Sequence, residues 1–180
     1  MYPVKLVGPH LSIREFRADD EDAVLAIVGD DRVTAWLSYN SRTREETRAM
    51  LAGAVERAQS DPRPDYYLAI VLPETDQLIG FTRIGLAGVK AGKLGYALHP
   101  DWWGKGYATT AAGMMLDFGF EDIRLHRMSV AIGPENTASI AVAQRLGFQY
   151  EGHIRHHVYT NGEWRDSLLY SLLEQEWQAR

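Results

Sequence analysis

The chain has 180 residues, 46% of them hydrophobic and 24% charged, a globular composition that excludes disordered and fibrous classes and sets one domain over residues 1–180 as the expectation. A formal charge of −5 argues against a broad nucleic-acid footprint. With no cysteine there are no disulfides, thiolate nucleophiles or Cys-based zinc sites, which suits a cytoplasmic location, and neither a membrane span nor a signal peptide is read along the chain.

Alternation of Leu11, Ile13 and Phe16 with polar residues predicts a first strand. Asp19 and Asp20 then offer N-caps to a short helix carrying Val24, Ile27 and Val28. Thr43 with Glu46 three residues on is a capping-box signature, opening a helix whose apolar stripe is Leu51, Ala54, Val55 and Ala58. The Asp61-Pro62-Arg63-Pro64 stretch ends it. Tyr66–Leu72 and Leu78–Ile84 read as a hairpin, and Leu94–Leu98 as the next strand. His99–Thr110 leads into a helix with Ala108, Ala111, Ala112, Met115 and Leu116 on one face. A strand near Met128–Ile132 and a helix from Asn136, with Gly147 as its C-terminal stop, come next. Two β segments around an Asn161-Gly162 turn close the chain. The order predicts a mixed α/β chain with a largely antiparallel sheet and a parallel pair made by strand–helix–strand crossovers.

Trp103-Gly104-Lys105-Gly106-Tyr107-Ala108 lies between a strand and a helix. Small residues there let the backbone approach a ligand, and the first-turn N–H groups and helix dipole favour an anion. The stretch lacks Walker spacing, and Thr109 breaks the dinucleotide fingerprint. On spacing alone, a pyrophosphate cradle and a ligand-free turn both remain open.

Four segments together resemble the GNAT superfamily of acetyl-CoA-dependent N-acetyltransferases, of the RimJ/RimL type. They are the glycine loop; Leu94-Gly95-Tyr96-Ala97-Leu98-His99-Pro100 before it; Asn136 and Ser139 followed by Arg145-Leu146-Gly147-Phe148; and a tail with Glu151-Gly152, Arg155, Asp166, Tyr170-Ser171-Leu172-Leu173 and Glu176-Trp177. The resemblance covers roughly Leu11 to Trp177. It implies a central, mostly antiparallel mixed sheet with a splayed parallel strand pair, flanked by helices. It also implies that Trp103, Gly104, Lys105, Gly106, Tyr107, Ala108 and Thr109 hold the coenzyme A pyrophosphate. The pantetheine arm would enter between the strands near Tyr96–Leu98 and Met128–Ile132, with a backbone N–H near Leu98 on the thioester carbonyl. Asn136, Ser139 and Arg145 would complete the acetyl-CoA site, Asn136 and Ser139 being the catalytic candidates. A homodimer is consistent with the resemblance, though the residues give no interface.

This sequence departs from the family pattern at three places. Trp103 stands where Arg or Gln is usual, and its ring is expected to pack. Ala143 stands where many members carry a Tyr that protonates the leaving thiolate, which leaves Ser139 as a hydrogen-bonding group or relay; a helix serine bonding its own backbone is the plain alternative. Lys93 stands where RimJ/RimL relatives often carry a basic Glu, so that base is lost. A site without a strong base suits an α-amine, with pKa about 7.7–8.0, over a lysine amine near 10.4. Lys105 is expected to contact the ligand more firmly than Arg145. His153 and His157 should share a strand face, with His156 opposite; they make a poor zinc site, no metal is read, and one of them could serve as base. Tyr66, Tyr67, Trp36 and Tyr39 are candidates for an acceptor pocket or for plain core. The expected activity is acetyl transfer to a small-molecule, peptide or protein amine by direct attack. A non-catalytic acyl-CoA-binding module and a plain phosphate-binding domain are the competing readings.

Overall fold

The computed structural model describes residues 1–179. Strands β1 (Lys5–Val7), β2 (Ser12–Glu15), β3 (Asp65–Val71), β4 (Leu78–Leu86), β5 (Ala91–Leu98), β6 (Arg127–Ile132), β7 (Gln149–Thr160) and β8 (Glu163–Leu173) make one sheet in the order β1-β2-β3-β4-β5-β6-β8-β7. Every neighbouring pair is antiparallel except β5 and β6. The helices are α1 (Glu21–Val28), α2 (Asp31–Thr34), α3 (Arg44–Ala58), α4 (Tyr107–Asp117), α5 (Thr137–Arg145) and α6 (Glu174–Gln178).

Alternation along the strands divides the apolar side chains between two faces. On one face Leu94, Leu98, Met128, Val130, Ile132, Tyr170 and Leu172 pack with Ala111, Ala112, Met115 and Leu116 of α4 and Val142 and Ala143 of α5. On the other, Tyr67, Ala69, Val71, Phe81 and Ala97 pack with Val24, Ile27 and Val28 of α1 and Leu51 and Ala54 of α3. The sheet is therefore the middle layer of three. Fully burying one such Leu, Ile, Val or Phe side chain is worth about 1.5–3 kcal/mol.

The helix ends follow local chemistry. Thr43 and Glu46 form the reciprocal capping box at α3, with the Thr43 N–H donating to Glu46 at 2.8 Å. At the end of α5, Gly147 takes a φ of 78°. Its N–H donates to Gln144 and that of Phe148 to Ala143, both at 3.0 Å, the paired bonds of a Schellman stop. Asn161 and Gly162 have φ of 54° and 80° between the paired Thr160 and Glu163, as a two-residue hairpin turn requires. Asp20 departs from its expected role. It stands before α1, but its carboxylate makes no cap bond; it accepts the Arg14 guanidinium at 2.8 and 2.9 Å and the Arg17 N–H at 2.8 Å.

Candidate active site

The parallel pair is short. Ala91, Gly92 and Lys93 lie opposite Arg127, Met128 and Ser129, and there the pairing of β5 with β6 ends. Beyond it β5 stays with β4 as far as Leu98, and β6 stays with β8 as far as Ile132. The two strands thus follow different partners and open a gap in the sheet. A cavity of about 1210 Å³ occupies the gap and reaches both faces, with lining from α4, α5, β5, β6, β7, β8 and the residues after α2. The His99 N–H donates to Ile79 of β4 at 2.9 Å. Backbone groups alternate in direction along a strand, so those of Leu98 face the gap. Its carbonyl accepts the Trp103 indole N–H at 2.9 Å, and its N–H is left for a ligand.

One face of the gap carries backbone N–H groups suited to an anion. Gly106 caps α4 with a φ of 83°, and Gly104 has 73°. A Cβ on either would meet nothing within 4 Å, so these glycines serve a left-handed backbone beside open space. The first helical bond runs from Thr110 to Gly106, leaving the N–H groups of Tyr107, Ala108 and Thr109 without helical acceptors, a ready anion cradle. Leu98, Trp103, Gly104, Gly106, Tyr107, Ala108, Thr109, Asn136, Ser139 and Arg145 all line the cavity, whereas Lys105 does not. The Lys105 ammonium lies 4.6 Å from the centre of the Trp102 ring, drawn there by the ring's π face. Trp103 does not pack as expected: it is 44% exposed, held over the end of β5 by its bond to Leu98.

Asn136 and Ser139 meet at the start of α5. The Asn136 side-chain oxygen accepts the Ser139 N–H at 3.1 Å, which makes Asn136 the helix N-cap. The Ser139 side chain lies near the Tyr96 phenol, whose pKa is raised by burial and partly lowered by Ser139. Tyr96 was read only as part of a strand motif. Its even position on β5, shared with Leu94 and Leu98, is the signal that turns it towards α5.

The opposite face carries Lys93, Gly95, Arg127, Ser129, Ser167 and Leu169, all lining the cavity. Arg127 is paired with Glu151 at 3.2 Å and bonded to Ser171 at 2.9 Å. Arg165 donates to the Ala35 and Leu37 carbonyls, and the Asn161 N–H to Asn40 at 2.9 Å. These bonds tie the β7–β8 hairpin to the segment after α2 and roof this side. Of the four aromatic candidates Trp36 lines the cavity; Tyr66 and Tyr67 are core, and Tyr39 is stacked under Arg42 at 4.4 Å.

The histidines do not follow simple alternation. The register of β7 against β8 shifts between Ile154 and Val158, and His156 has a φ of 48°, so a bulge separates His153 from His157. His153 contacts Asp166 at 2.7 Å, the His156 N–H donates to the same carboxylate at 2.8 Å, and the His156 ring stacks on Trp164. His157 instead pairs with Ser167 at 2.9 Å. The expectation that His153 and His157 share a face is overturned by the bulge, and of the three only His157 lines the cavity.

Comparison with known proteins agrees with this architecture. The acetyltransferase (GNAT) domain family matches residues 10–149. YnaD, an uncharacterized N-acetyltransferase of Bacillus subtilis, is 30% identical over 168 residues, 93% of this chain and 95% of its own. The ribosomal protein uS5-alanine N-acetyltransferase of Escherichia coli is 28% identical over 115 residues, covering 62% of this chain and 59% of that one. Mycobacterium smegmatis RimJ, solved with a coenzyme A disulfide, superposes with a TM-score of 0.84 at 26% identity, over 97% of this chain and 90% of that one. The chain belongs to the GNAT acetyltransferase family, in its RimJ/RimL-like branch, and is an acetyl-CoA-dependent N-acyltransferase.

Proposed function

We propose that this enzyme acetylates an α-amine at the N-terminus of a peptide or protein, by direct attack on acetyl-CoA in a ternary complex. The observation that carries the reading is the cavity that passes through the sheet between β5 and β6. On the α4 side, the N–H groups of Tyr107, Ala108 and Thr109 fit a pyrophosphate, and Gly104 and Gly106 leave room for it. The Leu98 N–H suits the thioester carbonyl, where it would stabilise the oxygen as charge develops. The Ser139 hydroxyl, positioned by the Asn136 cap and the Tyr96 phenol, would hydrogen-bond the leaving sulfur. The chain has no cysteine to carry an acetyl group, which supports direct transfer.

The choice of an α-amine rests on Lys93, a cation in place of a basic carboxylate. At pH 7.5 about a third of α-amines are neutral, against about one lysine amine in a thousand. The uS5-alanine relative has an acceptor of this kind by name. The test is coenzyme A thiol release with matched peptides bearing either a free α-amine or only a lysine amine, beside polyamines and aminoglycosides. The α-amine peptide should be turned over fastest, and Ser139→Ala should slow it about tenfold or more. A preference for the lysine peptide or a polyamine would sink the acceptor assignment. Tight coenzyme binding with no turnover on any amine would favour a binding-only module.

A further inference from the structure

We infer that His157 is the general base that takes the proton from the acceptor amine, with Ser167 fixing its ring. The inference rests on the acetyltransferase reading but not on the α-amine assignment; it supplies the base that Lys93 removes, so the α-amine preference then rests on the neutral fraction of the amine alone.

His157 lines the same cavity as Leu98, at the end where β5 and β6 have parted. Lys93 lies opposite Ser129, and Ser129 opposite Ser171. The pairing of β6 with β8 runs on to Ile132 and Leu168, so Ser167 is the first β8 residue past it, and Leu98, His157 and Ser167 all line the one cavity. Lys93 is five residues back from Leu98, about 16 Å along an extended strand. The position from which the family pattern would supply a base is thus occupied by a cation and lies deep in the join of the two strands. The imidazole stands at the open end instead, in the cavity that the Leu98 N–H faces.

The orientation is also suitable. Ser167 is buried, and on β8 it shares its face with Arg165 and Leu169, the face opposite α4 and α5. The His157 ring contacts it through Nδ1 at 2.9 Å. With Nδ1–H donating to the serine oxygen, Nε2 keeps its lone pair, and a hydrogen bond at one ring nitrogen sets the role of the other. The nearby alternatives are less available. Asp166 and Glu163 also line the cavity, but Asp166 already accepts from His153 and from the His156 N–H, and Glu163 stands at the hairpin turn, four residues along β8 from Ser167.

In the step itself the amine nitrogen bonds to the thioester carbon, and Nε2 takes the surplus N–H proton. The C–S bond then breaks, and its electron pair leaves on sulfur. The thiolate is protonated from water, and the imidazolium returns its proton to solvent, so atoms and charge balance.

The test measures kcat and KM against pH for His157→Gln, Ser167→Ala and Glu163→Gln, using whichever amine of the panel the wild type turns over. His157→Gln should lower kcat about 100-fold, leave coenzyme A affinity and the unfolding midpoint unchanged, and remove the wild type's acid limb from the pH profile. Its residual rate should follow the neutral fraction of the amine. Ser167→Ala should cost less and shift that limb. A His157→Gln rate within twofold of wild type, with the limb retained, overturns the assignment. Loss in Glu163→Gln alone would transfer the role to that carboxylate. Failure of the wild type on every amine would overturn the acetyltransferase function instead.

Discussion

The guanidinium of Arg14 is buried in the sheet and bound by both oxygens of Asp20, with Asp76 accepting from its Nε at 3.0 Å. A buried cation is tolerable only while it stays paired. Asp20→Ala should therefore destabilise the protein by about 3–5 kcal/mol, read from urea unfolding, whereas the loss of an ordinary helix cap costs about 1 kcal/mol. A loss near 1 kcal/mol would show that Asp20 matters only as the helix start. At this scale the sequence was partly legible. Asp20 before an apolar-periodic run reads as a cap, because nothing local announces an arginine six residues earlier that competes for its carboxylate. Gly106 and Asn136 were recognisable from short-range spacing, while the Tyr96–Ser139 contact joins a strand and a helix 43 residues apart in sequence. His157 was legible as one of three histidines, but the bulge that separates it from His153 arises from pairing with β8.

Elements with their own punctuation were predictable as such. The capping box of α3, the Asn161-Gly162 turn and the Gly147 stop all act within a few residues, and each formed where it was read. Three short elements went unread: β1 of three residues, α2 of four and α6 of five, too short for a period to show. They exist through partners, β1 by pairing with β2 and α6 by the bond that the Leu173 N–H donates to the Glu176 carboxylate. Gly147 carries a specific consequence. Alanine there would have to adopt a φ of 78°, at a cost of about 1–2 kcal/mol. Gly147→Ala should lower the unfolding free energy by that amount, and because α5 carries Asn136 and Ser139 at its other end, coenzyme affinity should change little. A large loss of affinity at unchanged stability would mean that the stop and the ligand site are coupled.

Across the whole molecule, several carboxylates are held below their ordinary range. Asp76 is lowered chiefly by the Arg14 hydrogen bond, Glu21 by Arg48, Asp30 by Arg32, Glu46 by the Thr43 N–H, Glu151 by Ser171 and Asp166 by the His156 N–H. A depressed carboxylate gives stability that is present above its unfolded pKa and is lost as pH falls through the folded value. Tyr39, Tyr67 and Tyr96 are raised by burial, so their contribution is present below the ordinary phenol value and fades as pH rises past it. The urea midpoint should be level from about pH 5 to about pH 9 and fall below about pH 4 and above about pH 10; a steady slope through neutrality would contradict this. The antiparallel sheet with one parallel pair could be anticipated from element order, but the distance over which that pair stays together depends on β4 and β8, each claiming its own neighbour. That divergence sets what the protein can serve. On the proposed arrangement, because the opening pierces the sheet, an acceptor would have to pass only its amine into the plane of the strands, while the rest of it stayed outside on the far side from the coenzyme. The bulk of the molecule bearing the amine would then not be bounded by the 1210 Å³ within, and a whole folded protein with one loose end would be as admissible as a short peptide.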